Sequence, residues 1–221
     1  MISVLVANSK GGCGKTTIAT NLAAAFAAGG LPTVLADTDR QRSSLGWLKS
    51  RPDTAAPITG LDWVKSMKAP PKGTERLIID SPAAVTGKEA KALIAMADVI
   101  VVPVLASAFD QGATREFLGK VREFKAIRKN RKPLALVRNR VRSGSRAAAR
   151  LDMFLMELET RDVGWLPDRA VYNEMAWRGL SIFDLDSLQA ETLQRDWVPL
   201  IRYIENEGFA FEESALEEGQ V

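Results

Sequence analysis

Asn8-Ser9-Lys10-Gly11-Gly12-Cys13-Gly14-Lys15-Thr16-Thr17 follows directly on the apolar run Ile2–Ala7 and leads into the alanine-rich stretch Thr16–Ala28. Strand, glycine-rich loop and helix in that order form the setting in which a phosphate loop works. Glycines let successive backbone N–H groups turn inward around phosphate oxygens with no Cβ in the way. The N-terminus of the following helix adds the positive end of its dipole. In such a loop Lys15 reaches the terminal phosphates of a nucleotide, and the Thr16 hydroxyl is a ligand for Mg²⁺. Gly11, Gly12, Cys13, Gly14 and Thr17 complete the cradle. The plainer alternative is a tight turn between a strand and a helix.

The pattern of short apolar runs extends outward from this loop. Thr33–Asp37, Leu77–Asp80, Val99–Val104 and Leu134–Arg138 are rich in Val, Ile or Leu and show little polar alternation. Continuous runs of this kind predict strands buried on both faces, as in a parallel sheet. Thr16–Ala28, Lys88–Ala97 and Ala113–Lys129 have helical spacing, and further helices are expected at Arg146–Glu159, Arg169–Trp177 and Ser187–Asn206. Alternation of the two predicts an α/β fold, doubly wound, with a mostly parallel sheet and helices on both faces. Arg51–Gly73, rich in Pro and Gly, reads as a loop-rich connection with one short strand near Trp63. At 221 residues one domain is expected over 1–208, with 209–221 an acidic, frayed tail.

Composition narrows the chemistry. Histidine is absent, so histidine bases, Ser-His-Asp triads and imidazole metal sites are excluded. The single cysteine, Cys13, excludes an intrachain disulfide and metal sites of several cysteines from one chain. No apolar run approaches the roughly 18 residues that span a bilayer, and Ile2–Ala7 lacks the length and basic flank of a signal peptide. A cytoplasmic protein is expected. The net charge of +3 hides an asymmetry. Arg115–Arg150 holds 13 Lys/Arg against two acids, whereas six glutamates and no basic residue follow Arg202.

The loop departs from the common phosphate-loop pattern at two positions. Ser9 stands where glycine is usual, and a second lysine, Lys10, precedes Gly11-Gly12. This resembles the deviant phosphate loop of the ParA/MinD family of ATPases. The resemblance implies that Lys10 crosses a dimer interface to the partner's nucleotide; the alternative is a solvated loop lysine. Asp37-Thr38-Asp39-Arg40-Gln41 is similar to the family's Asp-x-Asp-Pro-Gln segment, with Arg40 in place of proline. By that likeness Asp39 orients the attacking water, and Asp37 supports the Mg²⁺ shell or the loop. Solvated loop acids are the other reading of the pair. Leu77-Ile78-Ile79-Asp80-Ser81-Pro82 resembles the second metal motif, in which Asp80 holds Mg²⁺ through its waters; an aspartate ending a strand otherwise caps a turn. The resemblance also places adenine contacts near Asn139 and Pro167.

Within the family, Cys13 alone excludes the branch that bridges a dimer with an iron–sulfur cluster. The acidic end argues against the branch that binds anionic membrane by a basic helix. The remaining, ParA-like branch implies an ATP-bound homodimer, non-specific binding to nucleoid DNA, and a ParB-like or cargo-adaptor partner that stimulates hydrolysis. The cargo, whether plasmid, chromosome or protein cluster, is left open. Lys120, Arg122, Lys125, Arg128, Lys129, Arg131 and Lys132 crowd within 13 residues, and with Arg142 and Arg146 they are the candidate phosphate contacts. A solvated helix face is the simpler explanation of the run. With the loop so near the start, no DNA-reading domain is expected before it. The competing class is a metabolic phosphate-loop enzyme of the dethiobiotin synthetase type acting on a small molecule.

Overall fold

The computed structural model describes residues 1–83, 87–128, 132–158 and 160–218, with backbone alone at 126, 128 and 209–218. Seven strands, β1 (Ile2–Val6), β2 (Thr33–Asp37), β3 (Thr59–Asp62), β4 (Arg76–Asp80), β5 (Val99–Val104), β6 (Leu134–Val141) and β7 (Arg161–Pro167), form one sheet. Their order is β3-β2-β4-β1-β5-β6-β7, and every neighbouring pair is parallel. The helices are α1 (Lys15–Ala28), α2 (Ser43–Lys49), α3 (Gly87–Met96), α4 (Ala108–Arg122), α5 (Lys125–Arg128), α6 (Arg146–Glu157), α7 (Val171–Trp177), α8 (Leu188–Arg195) and α9 (Val198–Glu218).

β1, β2, β4 and β5 are buried along their whole length, as their unbroken apolar runs require. One face of the sheet packs against Phe26, Trp47, Ile182, Trp197 and Leu200, from α1, α2 and the C-terminal third. The other packs against Leu93, Phe117, Leu151 and Phe154, from α3, α4 and α6. Serines start three of the helices: Ser107, Ser145 and Ser187 each accept a backbone N–H from the first turn of α4, α6 and α8. Among the described residues no helix is long and apolar enough to cross a membrane.

Several expectations need correction. The segment Ala113–Lys129 is not one helix: α4 starts five residues earlier, at Ala108, and ends at Arg122 before the short α5. Ser187–Asn206 is broken at Asp196-Trp197 into α8 and α9, with Pro199 in the first turn of α9, where its missing N–H costs nothing. The acidic end expected to fray after Gly208 continues α9 as far as Glu218. β7 and α2 were not foreseen. β7 is an edge strand opening on exposed Arg161 and Asp162. α2 carries no capping side chain at Arg42; its cap comes from Asp37, on another element.

Candidate nucleotide-binding site

β1, β2 and β4 end side by side, with Val6 and Asp37 both in register with Asp80. This places the phosphate loop, the Asp37–Gln41 turn and Asp80 around one cleft of about 560 Å³. Gly11, Gly12, Gly14, Lys15, Thr16, Thr17 and Asp39 line its floor, and Asn139, Leu166, Asp168 and Tyr172 line its far wall. The loop turns at Gly12 (φ 75°) and Gly14 (φ 95°), backbone conformations closed to most side chains. Gly14 has a second reason to lack a side chain. Asn139 Nδ2 donates to Cys13 O at 2.7 Å, so close that a Cβ on Gly14 would lie 2.1 Å from the same nitrogen.

Asn139, expected near adenine, thus lines the cleft while its amide pins the loop. Pro167 ends β7 beside the lining residue Leu166. The start of the loop is held from below by two residues whose part the sequence did not reveal. Asn8 Nδ2 donates to Pro103 O (2.8 Å) and Thr114 Oγ1 (3.0 Å), and Ser9 Oγ donates to Ala113 O (3.1 Å). The serine that replaces glycine therefore ties the loop to α4.

Lys15 is buried, and its Nζ donates to Lys10 O at 3.0 Å. Thr16 Oγ1 donates to Asp80 Oδ2 at 2.8 Å, while the buried Asp80 Oδ1 has no hydrogen-bond partner. Burial pushes the Asp80 carboxyl up to about 7; the Thr16 hydrogen bond and the Lys15 charge oppose the rise, and the Asp37 charge adds to it. A hydroxyl and a carboxylate with an orphaned oxygen, set beside a phosphate cradle, fit Mg²⁺, which prefers oxygen ligands and keeps several waters. No group of three or more acidic or thiol side chains that could hold a metal occurs among the described residues. Phosphate and water oxygens must therefore complete any such shell.

Asp37 takes the loop-supporting half of its expected role. Its Oδ1 accepts the Asp39 N–H (2.9 Å), and its Oδ2 accepts Ser44 N–H, Ser44 O–H and Leu45 N–H (2.7–3.1 Å). With both oxygens engaged it caps α2 and fixes the turn that carries Asp39 into the cleft. Asp39 is half-buried and accepts Gln41 N–H at 2.9 Å. Lys10 is half-buried too, with no acid in ion-pair contact among the described residues.

Residues 4–182 match the model of the CobQ/CobB/MinD/ParA nucleotide binding domain. The chain belongs to this family. It is 27% identical over 190 residues to the maintenance of carboxysome distribution protein A of Halothiobacillus neapolitanus, across 83% of this chain and 87% of that protein. The MinD cell division protein of Aquifex aeolicus superposes with a TM-score of 0.70 at 16% identity, covering 93% of this chain and 98% of that one. McdA of Cyanothece, in an ATP complex, gives 0.69 at 17% identity, over 94% and 96%. The two solved structures share the fold of this chain.

The basic run does not form one uniform surface on this member of the family. Lys120 is paired with Glu116 at 2.6 Å. Arg122 donates to Leu158 O and to Thr160 Oγ1, joining α4 to the end of α6. Lys132 donates to Ala95 O and Ala97 O at the end of α3, and burial lowers its pKa. Arg142 is well exposed, 3.4 Å from Asp168. Lys125 and Arg146 are exposed, as is Arg150. Lys129 and Arg131 lie outside the described residues, and so does the side chain of Arg128. Lys132 is thus a helix-end clasp, because the last carbonyls of α3 need donors.

Proposed function

We propose that this chain is a ParA-type ATPase: it binds Mg-ATP, pairs with a second copy through Lys10, holds DNA without sequence preference, and positions a cargo through partner-stimulated hydrolysis. The observation that carries the reading is the Thr16–Asp80 pair at the mouth of a left-handed glycine loop, with Lys15 folded inside it. Lys10, on the same loop, has no acid partner among the described residues, so its charge is available to a phosphate. Asp39 is the half-buried carboxylate facing the cleft, and it is held from behind by Asp37 rather than by the nucleotide subsite. In this reading it orients the water that attacks the terminal phosphate, and Mg²⁺ offsets the charge that develops on the phosphate oxygens. The name of the Halothiobacillus neapolitanus relative supports positioning of a protein compartment.

The test is ATP-dependent. Wild-type protein should dimerise with ATP and Mg²⁺ and co-sediment with DNA at low salt. Asp39→Ala should keep ATP binding and the dimer while turnover falls by about 10² or more. Lys10→Ala should keep monomer binding of ATP and lose both the dimer and DNA retention. ATP binding without a dimer in the wild-type protein would sink the ParA reading, and full turnover in Asp39→Ala would remove that residue from its role.

A further inference from the structure

Just past the end of α2, the Arg51 guanidinium is bound to Asp184, in the single turn Ile182–Asp184 that comes after α7. Nη1 donates to Asp184 Oδ2 at 2.9 Å and Nη2 to Asp184 Oδ1 at 2.7 Å, and the two side chains are only 5% and 4% exposed. Nη1 also donates to Gly179 O at 3.3 Å, and the guanidinium lies over the Trp47 ring of α2, 5.1 Å from its centre. Trp47 Nε1 donates to Leu180 O at 3.1 Å. Gly179, at φ 66°, lets the two backbones approach so closely that a Cβ there would lie 2.2 Å from the Ser50 carbonyl carbon. The end of α2 is thus clamped to the segment after α7 by side chain and backbone together.

A buried ion pair adds little stability over apolar side chains of the same size; its better-attested use is to fix one arrangement of the parts it joins. Here both parts border the nucleotide cleft. The start of α2 is capped by Asp37, which also accepts the Asp39 N–H, and Arg42 N–H donates to Asp39 O at 2.9 Å. α7 brings Tyr172 and Asn173 to the far wall of the cleft. An aromatic ring beside an amide suits the base of a nucleotide, as the glycine loop opposite suits its phosphates. A second path joins that wall to the clamp. The Tyr172 hydroxyl oxygen accepts Trp197 Nε1–H at 3.0 Å, and Trp197 meets Phe183, next to Asp184, edge to face with 6.0 Å between ring centres.

We propose that Arg51 and Asp184 are positioning residues for hydrolysis. They carry occupancy of the base end from α7 to α2, and so steady Asp39 when a whole nucleotide, and not a bare triphosphate, is bound. Neither residue lines the cleft, so they act through the elements they join. The proposal rests on the reading of Asp39 as the group that orients the attacking water.

ATP and ribose 5′-triphosphate, which lacks the base, test it on the full chain with Mg²⁺. Hydrogen exchange over residues 39–50 of the wild-type protein should be slowed about fivefold more by ATP than by ribose triphosphate. Arg51→Met/Asp184→Asn removes both charges together, so that no unpaired charge is left buried, and Asn can still accept the Ser181 N–H that Asp184 holds. In this variant the extra protection should vanish, with α6, on the other face of the sheet, exchanging as before. ATP turnover should fall about tenfold at unchanged ATP affinity, and turnover of ribose triphosphate should hold. Arg51→Lys keeps the charge without the fork and should fall between the two. Equal protection by the two ligands in the wild type, protection that survives in both variants, or an equal loss of turnover with both ligands would overturn the proposal. Base-dependent protection in a wild-type protein that hydrolyses no ATP would keep the clamp and remove the ATPase reading. Turnover of ATP without that protection would do the opposite.

Discussion

Asp80 sits 1% exposed at the end of β4 with one oxygen on Thr16 and the other unpaired, so the folded protein resists its ionisation. Its pKa is about 7 when folded, against 3.8 for an ordinary aspartate. Between those values the unfolded chain has released the proton while the folded chain keeps it. The folded state then binds more protons, so stability falls as pH rises from about 4 to about 7 and stays reduced above that. Asp80→Asn should therefore raise the thermal midpoint at pH 8, by the order of 2 kcal/mol in stability, and make little difference at pH 4. Mg-ATP affinity should move the other way, weaker in the variant and, in the wild type, rising with pH through about 7. Scanning calorimetry at the two pH values, without nucleotide, decides it; an unchanged or lowered midpoint at pH 8 counts against the buried-carboxyl account. Gly14 provides a second residue-scale check. Gly14→Ala meets both the Asn139 amide and a φ of 95°. Shortening Asn139 to Ala in the same chain should recover only the steric part. A double-mutant cycle on ATP affinity should give a coupling of about 1–3 kcal/mol, and simple additivity would mean that Asn139 does not press on the loop.

At the scale of elements, α2 depends on a carboxylate that is not part of it. Arg42, at its N-cap position, offers no side-chain acceptor, and Asp37 supplies three hydrogen bonds to Ser44 and Leu45 instead. Asp37→Ala should then cost about 2–4 kcal/mol, through the lost cap and the buried donors left behind. The measurement is a urea titration of nucleotide-free protein. A loss below about 0.5 kcal/mol would mean that Asp37 serves mainly the metal shell. This dependence also explains what the sequence hid. β1, β2, β4 and β5 were readable because central parallel strands carry unbroken apolar runs. The phosphate loop was readable because its glycines and its Lys-Thr ending are adjacent in the chain. β3, Thr-Gly-Leu-Asp on the edge of the sheet and largely exposed, carries no such run. α2 lacked a local start signal because its cap lies seven positions back from Ser44. Asn8 and Ser9 find their partners more than a hundred residues away, at Thr114 and Ala113. Local pattern does not encode pairing of that range.

Over the whole molecule, charge is sorted along the chain, but the fold engages part of it in its own contacts. Of the basic run in α4 and beyond, Arg122 and Lys132 donate to carbonyls of neighbouring elements, so their removal unsettles the domain. Arg138 is engaged with Asp152 and Asp162, and Arg115 with Glu157. Lys125, Arg146 and Arg150 are exposed cations with no acid in ion-pair contact among the described residues. If DNA is held by phosphate contacts, these exposed residues supply counterion release and the engaged ones do not. Lys125→Glu, Arg146→Glu and Arg150→Glu should each weaken DNA retention by the ATP-bound protein and lower the slope of log K against log[salt] by about 0.9, with the thermal midpoint little changed. Lys132→Ala should do the reverse, lowering the midpoint because two carbonyls at the end of α3 lose their donor, and leaving the salt slope where it was. Filter binding across a salt series, beside thermal melts of the same proteins, separates the two classes. A slope that drops for Lys132→Ala and holds for the three exposed residues would place the DNA surface around the end of α3 instead.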